Sequence, residues 1–422
     1  MANGLFQIGV SALAASQRGL ATVSHNIANV NTDGYARQRV EFSARSPQGA
    51  GGVWTGNGVE TSAITRTVDQ FLQQQLRTST SNHARVAVVR DFAAQVNNIL
   101  GDPETGLSPA LGEFFDGVQA LVGDPASVPA RQVLLASADT FVSRFHDQHL
   151  RLDETERGVD ARLRSTIEEI NAAAQGIADY NRDIVQARGR VQGTPPNDLL
   201  DQRDALLLRL SALTNVTVVE QEDGALNISV GRGQALVAGG VASTLSIAGD
   251  PLDATRLEVA YSVNGVQALI SDDLTGGELG GLLSFRDEVL DPARNGLGRI
   301  AAAVSLAFNA QHRMGMDLDG APGADFFAAP APRVLEDGGN TGTLSVAYDE
   351  ATLGALTISD YDLRHDGANL ILTRRADQSA QTLAGPGPFT VDGMTITLGT
   401  APVAGDYWQL QPTRTAARDL GL

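Results

Sequence analysis

Two histidines form the grouping in this chain that most resembles a metal-binding site. His146 and His149 lie three residues apart, a spacing that places both rings near one face of a helix. No third ligand stands close in the sequence apart from Asp147 and Asp153, and His149 also falls on an apolar helical stripe. Packing against a core is therefore the favoured interpretation, and we predict no metal site here.

Three aspartates form the second grouping. Asp317, Asp319 and Asp325 resemble the opening of a calcium loop, in which carboxylates alternate at fixed positions and a glutamate closes the set. The alternation and the closing glutamate are both missing from the sequence. We therefore expect a turn with solvated carboxylates.

The residue types that could suggest catalysis also lack the spacing that a catalytic or cofactor site requires. Ser24, His25 and Asn26 are adjacent on a predicted helix and point in different directions, so they cannot build a catalytic triad. Gly231 and Gly233 lack the third glycine and the following helix of a dinucleotide-binding loop. The sequence also contains no nucleophile elbow, P-loop or zincin pattern. We predict neither an enzyme nor a cofactor.

Composition excludes several further classes. The 422 residues carry a net charge of −18, and every one of the 31 basic residues is arginine, without a basic run. Such a chain is not expected to bind nucleic acid or an anionic membrane surface. It contains no cysteine, which removes disulfides and thiolate chemistry. No segment predicts membrane insertion or a cleaved secretory signal.

The N-terminal residues have the spacing of a coiled-coil seam. Steps of three and four residues give Phe6, Gly9, Leu13, Ser16, Leu20, Val23, Ile27 and Val30, and six of these eight positions are apolar. An ordinary amphipathic helix on a globular core remains an alternative interpretation. A much longer seam runs from Leu135 to Val191 and predicts a rod of roughly 85 Å that ends at Thr194 and two prolines.

Other segments predict additional helices and two β regions. Helical patterns cover residues 68–100, 111–122, 198–213 and 279–312, the last with a bend at Asp291-Pro292. Alternating apolar residues with Asp223-Gly224 and Asn264-Gly265 turns predict strands between 216 and 275. A second alternating region follows residue 317. The fold class is thus an elongated, multidomain α+β protein with a small β insertion and a separate mainly-β outer domain.

The segment Ser24–Arg39 resembles the signature shared by axial proteins of the bacterial flagellum. Physically, it is a seam helix that ends in a turn, where Gly34 can adopt the left-handed conformation and Tyr35 can anchor a neighbouring subunit. The family more often has proline at Asp33 and serine at Ala36. The seam and the signature together predict an assembly interface that consists of Leu13, Leu20, Val23, Asn26, Ile27, Asn29, Val30, Thr32, Gly34 and Tyr35.

Four further stretches resemble the flagellar hook-associated protein 1 (FlgK) family. They are residues 196–204 (PNDLLDQRD), 280–287 (GGLLSFRD), 308–320 (FNAQHRMGMDLDG) and 405–414 (GDYWQLQPTR). This resemblance implies a structural protein at the hook–filament junction, outside the cell, exported by the flagellar type III route. It implies self-association in a ring, with the hook protein, a second hook-associated junction protein and an export chaperone as partners.

One departure from the family concerns the C-terminal end. The resemblance implies a further long helix there that pairs with the N-terminal seam, and Asp419–Leu422 shows no such pattern. We therefore expect this chain alone not to form a stable ring. The predicted domains are an axial segment (1–65), a helical rod with a β insertion at about 216–275 (66–316) and a mainly-β outer domain (317–422).

Two alternatives remain open. The chain could be another axial subunit from the distal rod or the hook, although residues 196–204 and 308–320 favour the junction family. It could also carry a surface-displayed binding module in its β domain, with Phe389, Tyr407 and Trp408 on the binding surface. Aromatic residues at strand spacing more often belong to a core, which disfavours this second alternative.

Overall fold

A computed structural model describes residues 2–50, 53–190, 195–263 and 265–422. The predictions that concern Val191, Thr194 and Asn264 lie outside the described residues. The chain divides into two compact units that are interleaved along the sequence. Unit 1 comprises Met1–Ala87, Leu163–Ala248 and Val259–Gly281, and unit 2 comprises Val88–Arg162, Gly249–Glu258 and Leu282–Leu422. The predicted domains are consecutive instead, and their boundaries stay a prediction.

The described residues form both long α-helices and antiparallel sheets, in agreement with the predicted α+β class. The helices are α1 (Ala2–Ala28), α2 (Gln70–Leu100), α3 (Leu107–Gly123), α4 (Val128–Arg190), α5 (Asn197–Leu213), α6 (Gly277–Phe285), α7 (Asp291–His312) and α8 (Ala416–Asp419). The first eleven strands are β1 (Gln38–Ala44), β2 (Gln48–Ala50), β3 (Val53–Thr55), β4 (Val59–Arg66), β5 (Val216–Glu220), β6 (Leu226–Val230), β7 (Gln234–Ala238), β8 (Val241–Ala242), β9 (Leu245–Gly249), β10 (Leu257–Val263) and β11 (Val266–Leu269). The last eight are β12 (Arg333–Glu336), β13 (Leu344–Tyr348), β14 (Tyr361–His365), β15 (Leu370–Arg374), β16 (Ala380–Leu383), β17 (Phe389–Val391), β18 (Met394–Leu398) and β19 (Tyr407–Gln411).

Helix α4 confirms the long predicted seam. It has 63 residues, which corresponds to about 95 Å at 1.5 Å per residue. Its buried stripe follows the predicted positions, with Phe145, Leu152, Val159, Leu163, Ile170, Ile177 and Ile184 all fully buried. The glycines at 158, 176 and 189 lie inside the continuous helix. Burial of the apolar stripe therefore outweighs their unfavourable helix propensity.

The bend predicted at Asp291-Pro292 takes the form of a π-helical turn. Residues Arg286–Leu290 form this turn between α6 and α7, and the amide of Asp291 donates to the carbonyl of Arg286. Pro292 has no amide hydrogen for the carbonyl four residues earlier, so the regular hydrogen-bond ladder is interrupted there. The irregularity therefore begins one turn before the proline.

The predicted β insertion is confirmed by strands β5 to β11. Strands β5, β6, β7 and β8 form a four-stranded antiparallel sheet in sequence order, and β11-β10-β9 form a second sheet. Gly224 adopts the left-handed conformation (φ 90°) in the predicted Asp223-Gly224 turn between β5 and β6. A separate antiparallel pair, β1 with β4, stands next to α1 in unit 1.

Strands β12 to β19 build two sheets around one core in unit 2. The five-stranded sheet has the order β12-β19-β14-β15-β16, and the three-stranded sheet has the order β13-β18-β17. Buried side chains from both sheets belong to one apolar cluster, which includes Tyr361, Leu363, Met394, Ile396 and Trp408. The alternating pattern after residue 317 thus places one face of each sheet against the other.

Gly298 of α7 tests how closely this helix packs in unit 2. A methyl group at Gly298 would lie 1.7 Å from the carbonyl oxygen of Thr413, whereas one at Gly296 would meet no atom closer than 4.0 Å. We expect Gly298→Ala to destabilise the chain by about 3 kcal/mol through this overlap. Gly296→Ala, the matched control, should stabilise α7 by up to about 1 kcal/mol through helix propensity. Urea unfolding followed by circular dichroism measures both, and equal midpoints for the two variants would contradict the close contact.

Candidate assembly interface

Helix α1 packs through small and polar residues. Ser11, Ala15 and Thr22 are the buried residues between positions 5 and 28, and the helix contacts strands β1 and β4. The Ser11 hydroxyl donates to the carbonyl of Ile8 at 2.8 Å and accepts the amide of Val59 at 3.2 Å. Gly58 lies directly against this hydroxyl, so that an added methyl group would stand 2.2 Å from it. Small residues therefore allow a helix and a strand backbone to approach closely.

The large apolar residues of α1 lie on its other face, in solvent. Leu13, Leu20 and Ile27 are 63%, 69% and 67% exposed. Their neighbours on the stripe are exposed as well: Leu5, Phe6, Val10, Val23 and Val30. A contiguous exposed apolar stripe of this kind marks an interaction surface. We call these eight residues the α1 stripe. Five of the predicted interface residues belong to it: Leu13, Leu20, Val23, Ile27 and Val30, the last of which follows the end of the helix.

Asn26 joins the end of α1 to the start of β1. Its side-chain oxygen accepts hydrogen bonds from the Tyr35 hydroxyl at 2.8 Å and the Gln38 amide at 2.9 Å. Its side-chain nitrogen donates to the Gln38 carbonyl at 2.9 Å. The Tyr35 ring also packs edge-on against His25, with ring centroids 5.5 Å apart. Asn26 and Tyr35 thus shape the turn inside this chain, and a direct contact of Tyr35 with a neighbouring subunit stays a prediction.

The other signature residues complete the same turn. Asn29 donates from its side chain to the carbonyl of His25 at 3.0 Å, and the Thr32 hydroxyl donates to the Asn29 side-chain oxygen at 3.3 Å. Gly34 has φ 80°, which confirms the left-handed conformation predicted for it. An added methyl group at Gly34 would also come within 3.1 Å of Ala205 on α5. Glycine at this position therefore permits both the left-handed turn and the close approach of α5.

Helix α5 carries the acidic side chains that hold this turn. Asp201 accepts the amide of Ala36 on one carboxylate oxygen at 3.1 Å and the Arg66 guanidinium on the other at 2.7 Å. Asp204 accepts from Arg66 as well, at 2.9 Å. The side chains of Asp201 and Arg66 are 8% and 14% exposed. These contacts join the signature to residues 196–204, and we call them the α5 clasp.

Further contacts of Asn197 and Asp198 extend the α5 clasp. The Asn197 side chain donates to the carbonyl of Ile64 on β4 at 2.9 Å. The Gln38 side chain donates to Asp198 at 2.9 Å, and His25 stands 3.4 Å from the same carboxylate. Sequence reasoning missed the whole clasp, because its partners are more than 130 residues apart. The spacing of Asn197, Asp198, Asp201 and Asp204 on one side of α5 was the available signal.

Arg414, the last residue of the stretch 405–414, holds unit 2 together through buried charges. Arg414 donates to Asp291 at 2.5 Å, to the Asn295 side chain at 3.1 Å and to Asp360. Burial alone would raise the pKa of Asp291, but Arg414 and Arg256 hold it below its usual range. Three acceptors around one buried guanidinium satisfy its hydrogen-bonding capacity. Arg414, in the family-like stretch 405–414, therefore contributes to the packing of unit 2.

The grouping of three aspartates, Asp317, Asp319 and Asp325, forms the predicted turn. The Asp317 carboxylate accepts the amides of Asp319 and Ala321 at 2.9 and 2.8 Å. Just before this turn, the Asn309 side chain accepts the amides of Phe326 and Phe327. Residues 308–320 therefore redirect the chain after α7 with satisfied backbone groups.

The other candidate chemical groups are engaged in packing. His146 lies 2.8 Å from the carbonyl of Leu420, and His149 is buried beside Asp153 at 3.5 Å. The described residues contain no cluster of three or more potential metal ligands. Trp408 is fully buried in the β core and Tyr407 donates to Asp362 at 2.7 Å, so this tryptophan is not part of a binding surface.

Among the described residues, no helix combines the length and the apolar character that crossing a bilayer requires.

Three family models match the chain. The flagellar hook-associated protein FlgK helical domain matches residues 93–327, the flagella basal body rod protein model matches residues 6–35, and the D2-like domain of flagellar hook-associated protein 1 matches residues 335–412.

Known proteins match over most of the chain. Flagellar hook-associated protein 1 of Salmonella typhimurium is 36% identical over 428 residues, covering 100% of this chain and 77% of the relative. The Escherichia coli (strain K12) protein is 34% identical, covering 98% and 76%. The solved flagellar hook junction protein FlgK from Burkholderia pseudomallei has a TM-score of 0.76 and 34% identity, covering 82% of this chain and 64% of the solved one. The chain therefore belongs to the flagellar hook-associated protein 1 (FlgK) family.

Proposed function

We propose that this chain is a structural subunit of the bacterial flagellum at the junction between hook and filament. The observation that carries the proposal is the α1 stripe, an exposed apolar face on a helix that the α5 clasp holds in a fixed place. A structural subunit needs a surface that polymerises and a fold that presents it. The names of the matched relatives supply the location along the flagellum.

The stripe suits a helical partner. Its residues recur at three- and four-residue steps, which is the spacing by which one helix inserts side chains between those of another. We propose that the occupant is a long helix from outside these 422 residues, and that subunits completed by such a helix assemble as a ring. Hook protein and the second hook-associated protein would then contact the ring from its two sides. Export by the type III route, with a chaperone, would bring the subunit outside the cell.

Charged substitutions on the α1 stripe test this proposal. We expect Leu20→Asp combined with Ile27→Asp to abolish filament assembly when the variant replaces the native protein in its bacterium, because two carboxylates would enter an apolar contact. The Tm of the purified variant should stay within about 1 °C of the parent, since both side chains are exposed.

Ala21→Asp is the control for the stripe, because Ala21 is exposed on the same helix outside the stripe. This variant should assemble filaments and support motility. Electron microscopy of the cells and a swimming assay measure both. Normal filaments on cells with the double aspartate variant would contradict a role of the stripe in assembly.

The α5 clasp generates a separate prediction. We expect Asp201→Ala to lower the free energy of unfolding by about 2 kcal/mol, because the Ala36 amide and one side of Arg66 lose their acceptor. Asp198→Ala, with a carboxylate that is 66% exposed, should cost less than about 1 kcal/mol. Chemical denaturation measures the two, and hydrogen exchange should show faster exchange at Ala36 only in the first variant. Equal losses would contradict the clasp.

A further inference from the structure

One cavity of unit 1 concentrates positive charge. It has a volume of about 420 Å³, and four arginines are among the residues that line it: Arg66, Arg77, Arg188 and Arg203. The carboxylates in the same lining are Asp204 and Glu220. Four positive groups against two negative ones leave an excess that is unusual in a chain with a net charge of −18.

Arg203 is buried with part of its guanidinium unsatisfied. The residue is 3% exposed, and one terminal nitrogen donates to the Asn181 side chain at 3.1 Å and to the Gly224 carbonyl at 2.6 Å. Its Nε has no hydrogen-bond partner among the described residues. Burial lowers the pKa of Arg203, and the nearby Arg66 and Arg188 act in the same direction. The carboxylates of Asp204 and Glu220 oppose this shift, but neither forms an ion pair with Arg203 among the described residues. A buried arginine stays charged, so Arg203 lacks a direct counter-ion.

The carboxylates that line the cavity already pair with Arg66 and Arg188. Asp204 accepts from Arg66 at 2.9 Å, and Glu220 stands 3.8 Å from Arg188. Arg77, on α2, pairs with no carboxylate among the described residues, and burial lowers its pKa against the opposing effect of Asp204. Two arginines therefore face one cavity without an ion pair of their own.

We propose that this cavity is an oxyanion site that takes a carboxylate- or phosphate-bearing group, with Arg77 and Arg203 as its charged ligands. The planar arginine fork matches both kinds of oxyanion. Gln73 and Gln74 of α2 line the same cavity and can donate from their side-chain amides. The volume is in the range of small-molecule sites. The oxyanion has two potential sources, a free multivalent anion or an acidic side chain of a second copy.

Inorganic pyrophosphate is the probe for this site. With the full chain, we expect pyrophosphate to raise the Tm by several degrees more than sodium chloride at the same ionic strength, with one site per chain by calorimetry. Arg77→Gln should weaken pyrophosphate binding at least about tenfold, because a charge-assisted contact is lost. Without pyrophosphate this variant should be as stable as the parent, since it breaks no described ion pair.

Arg90→Gln is the matched control, since Arg90 is on the same helix and its side chain is 74% exposed. This control should bind pyrophosphate as the parent does. Equal responses of Arg77→Gln and Arg90→Gln, or no response beyond that to sodium chloride, would overturn the proposal. Sedimentation velocity distinguishes the sources: pyrophosphate that dissolves oligomers of the parent identifies a carboxylate of a second copy, and unchanged sedimentation with tight binding identifies a free anion.

Discussion

The Asp201 carboxylate is the interaction on which the arrangement of the N-terminal region depends. One of its oxygens fixes the backbone at Ala36, 165 residues earlier in the chain, and the other fixes Arg66 at the end of β4, 135 residues earlier. The signature turn and the β1–β4 pair are thereby attached to the same helix. Asp201 and Arg66 are both largely withdrawn from water, so removal of Arg66 would leave the Asp201 carboxylate buried without its cationic partner, and removal of Asp201 would leave Arg66 with Asp204 alone.

Helix α5 also makes polar contacts outside the clasp, through Arg203. Arg203 stands two positions after Asp201 and points away from the signature, toward Asn181 of α4 and the β5–β6 turn. Asn181 in turn donates to the carbonyls of Leu226 and Gly239. A single short helix, α5, therefore connects the N-terminal turn on one side to the β insertion on the other. The polar residues of the 196–204 stretch divide between these two tasks.

Periodicity predicted most of this fold, and long-range polar contacts account for what it missed. Helix α4 and the β insertion follow from local patterns, since burial of a stripe such as Leu152, Val159 and Leu163 is encoded by spacing alone. Gly34 was predictable for the same reason, because a helix end requires a left-handed residue. The α5 clasp, by contrast, depends on which carboxylate meets which arginine in three dimensions. An acidic chain offers many such carboxylates, and the sequence does not distinguish Asp201 from its neighbours.

Helix α1 has the reverse of the usual amphipathic arrangement, and that reversal supports the proposed role of α1 in assembly. In a chain that functions alone, Leu13, Leu20 and Ile27 would face the core, because each buried side chain of this size contributes roughly 1.5–3 kcal/mol. Here the small residues Ser11 and Ala15 face the strands instead, and the apolar stripe stays in water. Tight backbone packing and the clasp compensate for the apolar burial that α1 forgoes within the chain. The unused apolar surface is then available to drive association between chains, which is the free energy that a polymerising subunit requires.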